Sequence, residues 1–156
     1  MNDVALKDRL REDLTAAMRA RDEVAKSTLR SVLTSISKAE VAGKSQSTLS
    51  DDQVIGVIRS ELGKRREAAE IYEKAGRDEL AARERAEIEV LSPYLPAELS
   101  DEELGAIVAE EVQAARDSGI DGPRAMGAVI KAVRERAGVR AEGSRIAQAV
   151  KAALAG

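Results

Sequence analysis

The stretch SPYLP at residues 92–96 divides this chain of 156 residues into two parts. Each proline lacks a backbone N–H donor and restricts the residue before it to extended conformations. Because helical hydrophobic spacing lies on both sides, the stretch predicts a domain boundary with extended backbone. We therefore expect an N-terminal helical domain at residues 1–92, a proline-containing linker at 93–99 and a smaller C-terminal domain at 100–156.

Upstream of the boundary, apolar residues recur at helical spacing. The first segment runs from about Asp3 to Arg21 and carries one row, namely Leu6, Leu10, Leu14 and Met18. A second row follows, namely Ala25, Leu29, Val32, Leu33 and Ile36. The two rows are nearly in phase, which fits either one long helix over residues 3–40 or a hairpin. Because Asp22 is a good residue to cap a second helix after a tight turn, we favour the hairpin.

Two further helices are expected before the boundary. Ser50 and Gln53 form a capping-box sequence that predicts the start of the third helix, and Gly76 predicts its end. Asp78 is placed to cap the fourth. The N-terminal domain is thus a helical hairpin plus two helices.

Downstream of the boundary, the signals predict three helices. Ser100 and Glu103 form a second capping box, Gly122-Pro123 begins the next helix, Gly138 stops it, and Gly143-Ser144 begins the last. The chain contains no Phe or Trp, and a core of Leu, Ile, Val and Ala suits helix–helix seams better than a sheet. We therefore predict an all-α fold.

The composition also limits the chemistry. The absence of His and Cys excludes Ser/His/Asp and Cys/His catalysis and zinc–thiolate sites. Serines and lysines remain for a Ser–Lys pair, but no S-x-x-K sequence lies where its lysine would be desolvated. We expect no catalytic residues, no metal site and no cofactor. Charges recur from Asp3 to Arg11, unlike in a signal peptide, and no apolar run approaches about 20 residues. These features predict a cytosolic protein without membrane contact.

Several charged groups fit exposed helix faces. The carboxylate pairs Glu84/Glu87 and Glu110/Glu111 are expected to form salt bridges with nearby arginines, namely Arg83, Arg85 and Arg116. The basic run at residues 64–66 is likewise expected to pair with neighbouring acids at helical spacing, namely Glu61, Glu67 and Glu70.

The last 35 residues are unusually basic. Residues 98–121 carry eight acids and one base, whereas residues 122–156 carry seven bases and two acids. The basic set consists of Arg124, Lys131, Arg134, Arg136, Arg140, Arg145 and Lys151. It either pairs with the acidic helix at residues 98–121 or forms a surface for RNA phosphates, whose neutralisation releases counterions. Without aromatic side chains for base stacking, such contacts would position an RNA without reading its sequence.

The order of several short motifs resembles the GatB/YqeY family over essentially the whole chain. These motifs are Leu29-Arg30, Ala75-Gly76-Arg77-Asp78-Glu79-Leu80, Glu84 with Glu87, Tyr94-Leu95-Pro96, Met126-Gly127, and Gly138-Val139-Arg140-Ala141-Glu142-Gly143. The resemblance implies an all-α fold with a three-helix tail, similar to the tail domain of the B subunit of tRNA-dependent amidotransferases. Those enzymes are carbon–nitrogen ligases that convert misacylated Glu-tRNA or Asp-tRNA to the amide with glutamine as donor.

The resemblance implies a binding role, because the catalytic cradle and the amidase subunit are absent. It places the contact surface on Met126-Gly127, Lys131 and the turn at residues 140–143. Ala128 stands where family members often carry lysine, and Glu142 where they often carry aspartate. The expected partners are tRNA and an amidotransferase or aminoacyl-tRNA synthetase; the alternative is a protein–protein interaction factor with no RNA role.

Two glycines of the tail are candidates for close approach of another backbone. A glycine inside a helix costs about 1 kcal/mol relative to alanine, so Gly127 calls for a reason. Close packing of a neighbouring helix is the favoured explanation, and approach of an RNA backbone is the other. Gly143 is predicted to allow the same kind of approach.

Overall fold

The computed structural model describes residues 4–43 and 47–156, so Asp3 lies outside the described residues. Within these ranges the chain forms α-helices and two short 3₁₀ helices, without strands, which confirms the all-α prediction. The α-helices are α1 (Leu6–Ala20), α2 (Glu23–Val41), α3 (Asp51–Lys74), α4 (Asp78–Leu91), α5 (Asp101–Asp117), α6 (Pro123–Ala137) and α7 (Gly143–Ala155). None of these described helices is both long and apolar enough to span a membrane.

The chain divides into two compact units, Met1–Leu95 and Pro96–Gly156. In the first, α1 and α2 form the predicted hairpin. Arg21 ends α1 in the left-handed conformation, with φ of 57°, which turns the chain back. The Asp22 side chain then accepts a hydrogen bond from the Ala25 N–H at 3.1 Å and caps α2. The side-chain cap and the turn together rule out one continuous helix.

The core of this unit lies where α1 to α4 meet. It is built from residues spaced three and four apart along each helix, which places them on one face. Its fully buried members include Leu10, Leu29, Val32, Ile36, Val54, Ile58, Leu62 and Leu91. The capping box at Ser50 and Gln53 is present at the start of α3.

Two local predictions in this unit are wrong. Ser92–Tyr94 is a 3₁₀ helix with Pro93 in its first turn, and the backbone becomes extended only at Leu95. Proline is tolerated there because the first turn of a helix leaves its N–H groups without intrahelical partners. Asp78 does not cap α4; it is the first helical residue, and Arg77 occupies the cap position without a side-chain hydrogen bond.

The second unit packs α5, α6 and α7 around one apolar cluster. Its buried members include Leu104, Val108, Val112, Val129, Val133, Ile146 and Val150. The Ser100–Glu103 capping box starts α5. Gly122 and Gly138 flank α6 with φ of 63° and 57°, a region that other residues rarely adopt. A second 3₁₀ helix, Gly138–Arg140, then leads to α7, and the Arg140 carbonyl accepts a hydrogen bond from the Leu99 N–H at 2.8 Å.

Candidate nucleic-acid interface

Helix α6 has one apolar face and one basic face. Ala125, Val129 and Val133 are buried at a spacing of four residues and contribute to packing within the unit. The opposite face exposes residues at spacings of three and four, namely Arg124, Gly127, Lys131 and Arg134. At a rise of 1.5 Å per residue this stripe is about 15 Å long. Glu135 is also exposed and is the one acidic residue of α6.

Two members of the predicted basic set pair with the acidic helix α5. The Arg136 Nη1 atom lies 2.8 Å from Glu110 Oε2 and 3.3 Å from Glu111 Oε1. The hydrogen bond to Glu110 is the main cause that raises the pKa of Arg136 above its usual value. Arg145 Nη2 lies 2.8 Å from Asp101 Oδ1. For these two arginines, pairing with α5 is the arrangement found.

The other five members form no ion pair within the described residues. Arg124, Lys131, Arg134, Arg140 and Lys151 are all exposed. Three of them belong to the α6 stripe, Arg140 lies in the 3₁₀ helix after it, and Lys151 lies on α7. The charge of Arg140 affects the pKa of Glu103 on α5. That pKa is lowered mainly by the hydrogen bond from the Ser100 N–H and further by the positive charge of Arg140.

The two tail glycines have different surroundings. Gly127 is exposed, and a Cβ atom placed on it would meet nothing within 4 Å. The explanation by close helix packing is therefore wrong, and the glycine instead leaves a gap without a side chain in the basic stripe. A Cβ on Gly143 would lie 3.1 Å from Arg134 Nη2. The group that approaches Gly143 in the structure is thus the Arg134 guanidinium.

The prediction of an exposed face for residues 64–66 is wrong at Arg65. Its side chain is 10% exposed and donates hydrogen bonds to Glu61 Oε2 at 2.7 Å and Glu87 Oε2 at 3.2 Å. Lys64 and Arg66 are exposed, and Lys64 lies 3.7 Å from Glu61. The helical period carries the missing signal, because position 65 lies between Leu62 and Ala69 on the buried face of α3.

Only some of the salt bridges predicted for the carboxylate pairs are present. Glu87 lies 3.8 Å from Arg83 as predicted, but Arg85 pairs with Glu73 on α3, and Glu110 and Glu111 pair with Arg136 instead of Arg116. Burial and the neighbouring Glu87 raise the pKa of Glu84. In the described parts of the chain, no group of three or more acidic residues is arranged to hold a metal ion.

Tyr94 forms a contact that no local sequence pattern predicts. Its hydroxyl donates a hydrogen bond to Asp13 on α1, and the Arg9 guanidinium carbon lies 4.9 Å from the ring centroid. Burial and the Asp13 carboxylate raise the pKa of Tyr94. The end of the first unit is therefore attached to α1 just before the chain enters the second unit.

Comparison with known proteins adds a family match. The family described as Yqey-like protein matches residues 7–154. One relative is the altered inheritance of mitochondria protein 41, mitochondrial, of Eremothecium gossypii, 33% identical over 110 residues that cover 70% of this chain and 56% of the relative. Its namesake in Vanderwaltozyma polyspora is 29% identical over 86 residues, 55% of this chain and 46% of that protein.

A Schizosaccharomyces pombe protein described as uncharacterized is 33% identical over 92 residues, covering 59% of this chain and 73% of that protein. This chain spans about half the length of the first two relatives. Both are named as mitochondrial proteins, and so are the matching proteins of two further yeasts. Because these relatives are named as mitochondrial, the prediction of a cytosolic location is wrong.

Proposed function

Because the chain belongs to the Yqey-like protein family, we propose that it is a helical binding module whose second unit contacts the phosphate backbone of tRNA. The observation that carries the proposal is the set of exposed cations on this unit that form no ion pair among the described residues. Three of them, Arg124, Lys131 and Arg134, share one face of α6.

The arrangement of charge within the unit supports a phosphate ligand. Acidic α5 is already neutralised in part by Arg136 and Arg145, while the α6 stripe carries positive charge with Glu135 as its acidic neighbour. Lysine and arginine side chains on such a surface attract a polyanion and release its counterions. The gap at Gly127 lets a phosphate group approach the helix between Arg124 and Lys131 without meeting a side chain.

The seven basic residues of the tail contribute unequally in this proposal. The five cations without ion pairs make the main phosphate contacts. Arg136 and Arg145 contribute less, because a phosphate must compete there with carboxylates that lie 2.8 Å away. Gly143 contributes indirectly, since the Arg134 guanidinium lies against it.

The proposed role is to hold tRNA for a partner enzyme. The family resemblance connects the tail to glutamine-dependent amidation of Glu-tRNA or Asp-tRNA, and an amidotransferase or an aminoacyl-tRNA synthetase would supply the chemistry. The chain contains no histidine or cysteine, so we assign no catalytic residue to it. Glutamine hydrolysis by the purified chain alone would contradict this assignment.

The proposal is tested by measuring the affinity for unfractionated tRNA over a series of salt concentrations. The triple variant Arg124→Glu/Lys131→Glu/Arg134→Glu removes the stripe. Its control, Arg66→Glu/Lys74→Glu/Arg77→Glu, makes the same change in net charge at exposed positions of the first unit. For the unmodified chain, log affinity should fall linearly with log salt, and each phosphate contact that is lost should reduce the slope by about 0.7–0.9.

We expect the stripe variant to lose tRNA binding while the control retains most of it. Equal losses in the two variants would mean that overall charge, not the stripe, attracts the RNA. Undetectable binding of the unmodified chain even at low salt would contradict the proposal and favour a protein–protein interaction factor without an RNA role.

A further inference from the structure

We infer that Gly143 is a positioning residue for Arg134: it leaves the space in which the Arg134 guanidinium lies, and so fixes where this cation is presented. The inference rests on the proposed function, since it assigns a cause to the position of one phosphate contact. The packing of the Arg134 guanidinium against Gly143 is also a property of the free protein and does not depend on RNA.

The contact involves three atoms of the guanidinium group. A Cβ atom on Gly143 would lie 3.1 Å from Nη2, 3.8 Å from Cζ and 3.9 Å from Nε of Arg134. The shortest of these distances is tighter than ordinary van der Waals contact. The Arg134 side chain therefore packs on the backbone at the first turn of α7, in space that a methyl group would enter.

Backbone conformation gives no other reason for a glycine at this position. Gly143 is the first residue of α7 and, unlike Gly122 and Gly138, does not have a positive φ. Alanine is a better helix former than glycine, so the helix itself would favour alanine here. The Cβ atom of an alanine here would require the guanidinium to move by a few tenths of an ångström.

In this inference, packing on Gly143 restricts the Arg134 side chain in the free protein. Arg134 is exposed, and within the described residues it has no ion pair or side-chain hydrogen bond that would hold it. An arginine side chain that moves freely must lose rotamer entropy when it binds a ligand. A guanidinium already packed on Gly143 loses less of this entropy, so it should bind a phosphate more tightly.

The variant Gly143→Ala tests the inference in two measurements on the full chain. In NMR spectra of the free protein, the Nε–Hε signal of Arg134 should shift, and its relaxation should show a more mobile side chain. The affinity for unfractionated tRNA at low salt should fall roughly threefold to tenfold, as expected when one charge-assisted contact is weakened. The matched control is Gly105→Ala at an exposed position of α5, where a Cβ meets nothing within 4 Å. Neither measurement should change in this control.

A double-mutant comparison separates positioning from a general effect on the fold. In an Arg134→Ala background, Gly143→Ala should cause no further loss of affinity, because the group that it displaces is gone. A further loss of similar size in that background would overturn the inference, and so would an unchanged Arg134 Nε–Hε signal in the single variant. If the signal shifts but no variant or wild-type protein binds tRNA, the proposed function fails while the positioning by Gly143 stands.

Discussion

At the scale of single residues, Arg65 is the buried cation of a charge cluster in the first unit. It lies between Glu61 on its own helix and Glu87 on α4, and its Nη2 atom is 3.4 Å from the Ser31 hydroxyl on α2. Burial opposes the charge on Glu61, but hydrogen bonds from Arg65 and Ser35 outweigh it and keep the pKa of Glu61 below its usual value. One arginine thus links three helices.

Arg65→Ala should lower the free energy of unfolding by about 3 kcal/mol, because it removes the cation closest to the carboxylates of buried Glu61 and half-buried Glu87. Arg66→Ala, at the adjacent exposed position, should change it by no more than about 0.5 kcal/mol. Urea unfolding followed by circular dichroism measures both. Because the folded-state pKa of Glu61 is lowered, its stabilising effect should be present above its unfolded-state pKa and be lost as pH falls through the folded value. Similar losses in the two variants would contradict this account of Arg65.

At the scale of elements, the 3₁₀ helix at Ser92–Tyr94 is attached to α1 through the Tyr94 side chain. Tyr94 contacts Asp13 and Arg9, which are neighbours on α1 because residues 9 and 13 are one helical turn apart. The attachment fixes the path of the chain up to Leu95, where it becomes extended. The first part of the proline-containing stretch, up to Tyr94, is therefore held against α1.

Tyr94→Phe should lower the free energy of unfolding by about 1–2 kcal/mol, since it removes a hydrogen bond to a charged acceptor. The raised pKa means that the neutral phenol is favoured in the folded protein. The stabilisation should therefore be complete below the unfolded-state pKa of about 10 and be lost as pH rises further. The difference in phenolate absorbance between wild type and variant isolates Tyr94. Its ionisation at the ordinary pH for tyrosine would contradict the bond to Asp13.

The elements were predicted well where their signals are local. Capping boxes at Ser50 and Ser100 and the glycine stops act within four residues, so they can be read from the chain directly. The errors at Asp78 and Pro93 are shifts of one helical turn or less, where neighbouring residues compete for the same cap or turn. Such competition depends on how the helix ends pack, which a local pattern does not contain.

In the candidate site, the pairing of the charges was predicted less completely, for a reason that also lies in the packing. The excess of basic residues in the tail and their spacing on α6 can be predicted from the sequence alone. Which cations meet an acid depends on the register of α5 against α6 and α7, and this register pairs Arg136 with Glu110 and Arg145 with Asp101. Tyr94 and Asp13 are 81 residues apart, so nothing near either residue indicates the bond.

At the scale of the whole molecule, a basic surface is carried by a chain whose net charge is −3. Overall charge therefore does not favour a polyanion, and any tRNA binding must come from a local concentration of cations. In the second unit this concentration lies on α6 and the turn that follows it. In the first unit, the charged side chains around Arg65 form ion pairs with one another.

The most direct test of the proposed interface is a titration of the isotope-labelled full chain with unfractionated tRNA, followed by amide NMR spectra. The account predicts that signals from Arg124, Gly127, Lys131 and Arg134 shift or broaden first, with Arg140 and Lys151 next, while the signals of α1 to α4 change little. Changes confined to the first unit, or a spectrum that tRNA leaves unchanged at low salt, would contradict the claim that α6 contacts RNA.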